Sequence, residues 1–340
     1  MALRGARESA AGVVPVTLLT GFLGAGKTTL LNRILSSEAA GRTAVVVNEF
    51  GDLGIDGSLV VGADDDVVEL RNGCLCCTVR GDLARTVTKL LARRSGFLRR
   101  LRFDRLAVEL SGLASPGPVL QTFLLDDRLR VETRIERVVA LASAPDLVLQ
   151  LERHPEAAEQ LAYAELVVLG HVDRASPEVV EAAAAAVASR NALARVVRAE
   201  RGQVDLDLVL GTDAVESAPI FGAAPESGEP VAMLELQGAG TTHSPDVSTV
   251  ALTADSPLSL HAVKIWLQHL TSRRDLDLMR LKGILRCAEQ PARAVVAQGV
   301  YQWLEIGPGE GGAPAQSRLV LIGRGLDEDE LRRGWAKLMA

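Results

Sequence analysis

The spacing of apolar positions changes repeatedly along the chain. The runs "VVPVTLLT" (13–20), "RTAVVVNEF" (42–50), "FDRLAVEL" (103–110), "RIERVVALAS" (134–143), "AELVVLG" (164–170) and "ALARVVRAE" (192–200) are short, rich in valine and leucine, and nearly continuous. Such runs predict strands buried on both faces. Between them, "KTTLLNRILSS" (27–37), "LARTVTKLLARR" (83–94) and "PEVVEAAAAAVASRN" (177–191) have helical spacing and good helix formers, and predict helices. Alternating strands and helices point to an α/β fold, a doubly wound and mostly parallel sheet with helices on both faces.

The pattern breaks at 222–247, where "GAAPESGEPVAMLELQGAGTTHSPD" is rich in Gly, Pro and Ser and predicts a linker. Beyond it, "STVALTA" (248–254), "LKGILRC" (281–287), "ARAVVAQGVYQWLEI" (292–306) and "SRLVLIGRG" (317–325) each predict one strand. "LSLHAVKIWLQHL" (258–270) and "DEDELRRGWAKLM" (327–339) predict helices. The expected organisation is a flexible tail at 1–12, a nucleotide-binding domain at 13–221, the linker, and a smaller α+β domain at 248–340.

Composition narrows the function. The net charge is −6 with acids and bases intermixed, and aromatics are 3%, so neither a basic nucleic-acid footprint nor a base-stacking surface is present. No window is long and apolar enough to predict a membrane span. "MALRGARESAAGVVPVTLL" opens with two arginines and an apolar run, but the run flows into a glycine loop rather than a cleavage site. A tail followed by a strand is the expectation there. Three of the four cysteines are too close together to staple distant segments, which favours reduced thiols and a cytoplasmic location.

"GFLGAGKTT" (21–29) fits G-x-x-x-x-G-K-[ST] between a predicted strand and a predicted helix. Gly21, Gly24, Ala25 and Gly26 form a loop whose backbone N–H groups would face phosphate oxygens, with the helix start adding its positive end. Lys27 would reach the β- and γ-phosphates, Thr28 would ligate Mg²⁺, and Thr29 follows in the same turn. "ELSGLASPGP" supplies a second element: Glu109 ends a strand and could hold a Mg²⁺-bound water or orient the attacking one. Gly112 would let the backbone approach the γ-phosphate. The alternative is an acid merely solvated at a strand end. "NEFGDLGID" (48–56) adds a second acidic loop with Glu49, Asp52 and Asp56.

"NGCLCCTVRGDL" (72–83) crowds Cys74, Cys76 and Cys77 into four positions. Thiolates are soft donors for zinc or cuprous copper, and a helix start after Cys77 together with Arg80 would favour the thiolate form. Glu49, water, a histidine or a ligand from another protein could complete the shell. Simple burial and a redox dithiol are the competing readings.

Taken in this order, "GFLGAGKTT", "NEFGDLGID", "GCLCCTVRGDL" and "ELSGLASPGP" make the chain resemble the CobW-type metallochaperone GTPases, relatives of UreG and HypB, over nearly its whole length. The resemblance implies a GTPase that carries zinc or cobalt on the C-x-C-C cysteines and delivers it to a client metalloenzyme as GTP is hydrolysed. It implies Gly26, Lys27 and Thr28 as phosphate and Mg²⁺ residues, Glu49 and Glu109 as switch acids, and Cys74, Cys76 and Cys77 as the metal motif. Cobalt or iron delivery to a nitrile hydratase or cobalamin pathway is the neighbouring reading; a nucleotide-gated regulatory module and a kinase-like enzyme are more distant ones. Assembly as a homodimer is left open.

The chain departs from the family's N-K-x-D base loop, which here reads Gly170-His171-Val172-Asp173. Asp173 can still accept from guanine N1–H and N2–H₂. His171 is expected either to stack on the base or to be an ordinary loop histidine. Ser143 stands roughly where relatives carry an aspartate, and Tyr301 where they often carry a histidine.

Overall fold

Strand β1 (Val14–Gly21) is the middle of the first unit, buried along nearly its whole length. The computed structural model describes residues 12–37, 42–48, 59–60, 68–69, 79–95, 103–211, 247–301, 303–309 and 311–339. The chain divides into two units, Met1–Asp213 and Ala214–Ala340. All but the last residue of the expected linker lies outside the described residues, as do the first eleven positions.

In the first unit β1 is followed by α1 (Lys27–Leu35), β2 (Thr43–Asn48), β3 (Leu59–Val60), β4 (Val68–Glu69), α2 (Val79–Ser95) and β5 (Arg105–Leu110). Then come α3 (Pro116–Leu125), α4 (Asp127–Glu132), β6 (Thr133–Ser143), α5 (Leu147–Arg153), α6 (Pro155–Tyr163) and β7 (Leu166–Gly170). α7 (Pro177–Arg190), β8 (Arg195–Arg198) and α8 (Leu206–Leu210) complete it. Six strands form one parallel sheet in the order β2-β5-β1-β6-β7-β8, while β3 and β4 pair antiparallel apart from it.

The order reverses at β1. The chain leaves β1 for β2 on one side and later crosses back over it to β6, so right-handed crossovers place α1 on one face and the later crossover helices on the other. Leu30, Leu31 and Ile34 of α1 pack with Leu19, Val45, Ala107, Val139 and Leu141 of the sheet and with Val209 and Leu210 of α8. Burying each such side chain contributes roughly 1.5–3 kcal/mol. Three arginines hold the 202–210 segment against this layer: Arg33 donates to the Gly202 carbonyl, Arg137 to that of Leu208 and Arg105 to that of Leu210.

The second unit comprises β9 (Ser248–Ala254), α9 (Leu260–Ser272), β10 (Asp277–Arg286), β11 (Ala294–Val300), β12 (Trp303–Pro308), β13 (Ser317–Arg324) and α10 (Glu328–Ala336). Its strands form an antiparallel sheet in the order β12-β11-β10-β13-β9. Val263 and Leu267 of α9 and Leu331 and Trp335 of α10 share a core with Leu252, Leu281, Leu285 and Leu321. Both helices start on a side-chain cap: Ser259 Oγ accepts from Ala262 N–H and Asp327 from Glu330 N–H. The single strand expected at 292–306 is in fact a hairpin. Val300 pairs with Trp303 across a two-residue turn in which Tyr301 adopts φ 53°, and no glycine or asparagine marks that turn in the sequence. No helix among the described residues is long and apolar enough to cross a membrane.

Cys287 follows β10 and is fully buried. Burial, with the Glu289 charge adding to it, pushes its thiol up to about 11. A group titrating that high stays protonated near neutral pH, so Cys287 should resist alkylation in the native protein. Peptide mapping after iodoacetamide treatment at about pH 8 should find it modified only after denaturation; labelling at the rate of a free thiol would contradict this burial.

Candidate nucleotide site

The loop after β1 sits at the carboxyl edge of the sheet, where the strand order reverses and doubly wound folds bind ligands. Gly21 ends the strand with φ 137°, and a Cβ there would lie 2.2 Å from the Leu141 carbonyl oxygen of β6. Gly24 and Gly26 take φ 75° and 98°, Ala25 is buried, and Ala25 N–H donates to the Phe22 carbonyl at 3.2 Å. Helix α1 then begins at Lys27 with no side-chain cap and no acid in its first turn, leaving its first N–H groups directed along the loop. The Lys27 side chain is 9% exposed; Nζ donates to the carbonyls of Gly21 at 2.9 Å and Phe22 at 3.3 Å. The ammonium is thus folded back over its own loop, as a phosphate-binding lysine needs to be.

Thr28 and Glu109 meet. The Thr28 hydroxyl donates to Glu109 Oε1 at 3.2 Å, across 81 positions of sequence. Glu109 is 6% exposed and lies on β5 opposite Leu19 of β1 and Val47 of β2. Two hard oxygen donors side by side at the lip of a lysine-bearing loop fit Mg²⁺. Thr29 is exposed, its methyl directed at Gly202.

Gly112 lies against the same loop: a Cβ there would come within 2.9 Å of Leu23 N and 2.5 Å of its Cδ2. One residue that sequence reasoning missed fixes this approach. Gln160 of α6 is 1% exposed, and its Nε2 donates to the carbonyls of Gly112 at 3.0 Å and Ala114 at 3.2 Å. A glutamine among the buried Ala157, Ala158 and Leu161 was the available signal, since a polar side chain on an apolar helix face needs partners.

The Gly170–Asp173 loop also reaches the cradle. A Cβ on Gly170 would lie 3.8 Å from the Ala25 carbonyl and 3.7 Å from that of Ala142, an ordinary contact. His171 is half-buried with φ 57° and starts the short 3₁₀ turn Val172–Arg174, on which Asp173 is exposed. His171 Nδ1 lies 3.1 Å from Ser143 Oγ. The expected metal residues Glu49, Cys74, Cys76 and Cys77 lie outside the described residues, though α2 does begin just after them at Val79. No group of three His, Cys, Asp or Glu suited to a metal gathers among the described residues.

Comparison with known proteins places the chain among its relatives. The chain is 30% identical over 334 residues to the zinc chaperone YjiA of Escherichia coli, covering 96% of this chain and 98% of that one. It is 31% identical to the zinc chaperone CobW of Pseudomonas aeruginosa, covering 93% and 88% respectively. The crystal structure of Zn(II)-bound YjiA GTPase from E. coli superposes with a TM-score of 0.74 at 27% identity, over 96% of this chain and 99% of that one. Residues 15–198 match the CobW/HypB/UreG nucleotide-binding domain, and residues 247–339 match the cobalamin synthesis protein cobW C-terminal domain. With more than half its length matched by the first of these and a relative of like identity aligned almost end to end, the chain belongs to the CobW/HypB/UreG family.

Proposed function

We propose that this protein is a GTP-hydrolysing metallochaperone that carries zinc on Cys74, Cys76 and Cys77 and passes it to a client metalloenzyme. GTP hydrolysis is the activity of the first unit. The observation that carries this part is the contact of Thr28 with the buried Glu109 beside a lysine held over the glycine loop. The metal part rests on the cysteine spacing and on relatives named zinc chaperones.

Thr28 and Glu109 would hold Mg²⁺, which when bound spreads the charge of the β- and γ-phosphates. The protein's own groups do the rest. Backbone N–H groups of the loop and the start of α1 bind phosphate oxygens, and Lys27 exchanges its two carbonyl partners for the β- and γ-oxygens. Glu109, buried and bonded to Thr28, would hold a Mg²⁺-bound water or orient the attacking one. Gln160 keeps Gly112 pressed against Leu23, so a γ-phosphate that displaces this loop has to move α6 contacts as well. Asp173 would accept from guanine N1–H and N2–H₂. The cysteine motif directly precedes α2 in sequence, and a shift of that helix is the route by which hydrolysis would change the zinc shell. Cobalt or iron as cargo is the alternative the thiol set also permits.

The test is zinc transfer to a colorimetric chelator under three nucleotide conditions: none, GTP, and a non-hydrolysable GTP analogue. The unmodified chain should hold about one Zn²⁺ and release it faster with GTP than with the analogue. Serine at both Cys76 and Cys77 should bring bound zinc close to zero with GTP turnover retained. Identical release under all three conditions, or full zinc content in the serine variant, would end the carrier reading.

A further inference from the structure

Ser143 is the last residue of β6, 1% exposed, and its backbone lies in register with Gly170 of β7. Its hydroxyl oxygen lies between two groups: Asp146 Oδ2 at 2.6 Å and His171 Nδ1 at 3.1 Å. A serine has one hydroxyl proton. Asp146 is a carboxylate and only accepts, so that proton points to Asp146 and the Ser143 lone pairs face the imidazole. Nδ1 must therefore carry a hydrogen, which leaves Nε2 as the acceptor of the neutral ring. The backbone is fixed as well. His171 is one of three described residues other than glycine with positive φ, its carbonyl accepts from Arg174 N–H at 2.9 Å, and the Gly170 carbonyl accepts from Ala144 N–H at 2.9 Å. A residue held by its backbone carbonyl and at Nδ1 in a sparsely populated backbone conformation, beside a loop that reaches the phosphate cradle, is where such strain has a use.

We propose that Ser143 and Asp146 are positioning residues that lock the His171 ring as its Nδ1–H tautomer, making His171 a base-contacting residue of the nucleotide site. The inference rests on the GTPase reading and deepens it. A flat ring of fixed orientation takes the place of a flexible lysine stem, and it offers a purine a stacking face and one acceptor. Asp146 determines which tautomer forms, and Ser143 transmits that choice.

Three substitutions test it. In Ser143→Ala the ring loses its acceptor, and guanine-nucleotide affinity should fall about three- to tenfold, the range one neutral hydrogen bond supports. Ser143→Thr should restore it. The turnover number at saturating GTP should stay near the unmodified value, since no phosphate contact changes. Asp146→Ala removes an exposed carboxylate whose partner is the buried Ser143 hydroxyl. It frees the Ser143 proton to donate to Nδ1, so the ring should switch to the Nε2–H tautomer. Imidazole ¹⁵N shifts report this directly, with the His171 signals identified by their loss in His171→Ala. A guanine-binding chain in which neither affinity nor tautomer responds to these changes would overturn the positioning role alone. An unmodified chain with no affinity for guanine nucleotides would overturn the GTPase reading, and this inference with it.

Discussion

Replacing Lys27 with alanine is expected to lower GTP turnover by about 10²–10³-fold, the loss typical when one preorganised donor to transition-state charge is removed. The lysine is more than a charge in the sequence motif. Its stem is buried and its ammonium is already held at 2.9 and 3.3 Å by two carbonyls of the loop it serves. Little ordering is left to be done when a triphosphate arrives, which is why the deficit should fall on turnover as well as on affinity. Stability should change far less. Hydrogen bonds to the charged group contribute about 1.5–3 kcal/mol, but the desolvation cost of the ammonium disappears with them. Phosphate release, fluorescent-nucleotide titration and thermal unfolding together check this. Turnover within about threefold of the unmodified chain would mean that Lys27 does not act on the phosphates.

Gly21→Ala is expected to remove most of the folded protein. The new methyl would lie 2.2 Å from the Leu141 oxygen and 2.9 Å from Leu141 N, both backbone atoms of β6 in the middle of the sheet. Neither strand can retreat: β1 is hydrogen-bonded to β5 on its other side, and β6 to β7. The backbone also sits at φ 137°, which L-residues rarely adopt. Overpacking and backbone strain together should exceed about 4 kcal/mol, the upper end for a single substitution. Gly24→Ala is the control. It shares the positive φ, at 75°, but meets no atom within 4 Å, so it should cost only about 1–2 kcal/mol. Similar soluble yield and melting temperature for the two variants would show that the close approach to Leu141 is unimportant.

Much of this architecture was legible because the inner parallel strands are buried on both faces and so read as continuous apolar runs, whereas the edge strand β8 is at most half-buried, contrary to expectation. Val14–Gly21, Arg105–Leu110 and Leu166–Gly170 differ from the expected spans only at their ends. The helices from Pro116 to Tyr163 were not marked out by period. In Pro116–Leu125, Val119, Leu120, Thr122 and Phe123 are all buried, so the helix has little of the polar face that a period of 3.6 reveals. The Tyr301 turn escaped because its strained backbone is imposed by the pairing of β11 and β12 rather than by a turn-forming residue. At the site, Gly21 to Thr29 could be read because they are contiguous, and Glu109 because it is an acid next to the end of an apolar strand. Gln160 and Asp146 could not. Their roles depend on Gly112 and His171, distant partners that only the folded chain brings to them.

The central place of β1 has a consequence for biosynthesis. Its two neighbours, β5 and β6, are made long after it, so the phosphate loop leaves the ribosome with no sheet to support it. Until Leu141 has been translated, the β6 backbone that Gly21 packs against is missing, and the valines and leucines of β1 and β2 remain available to other nascent chains. Cells depleted of the chaperones that bind nascent chains should therefore lose this protein to aggregation during synthesis, while protein that has already folded is spared.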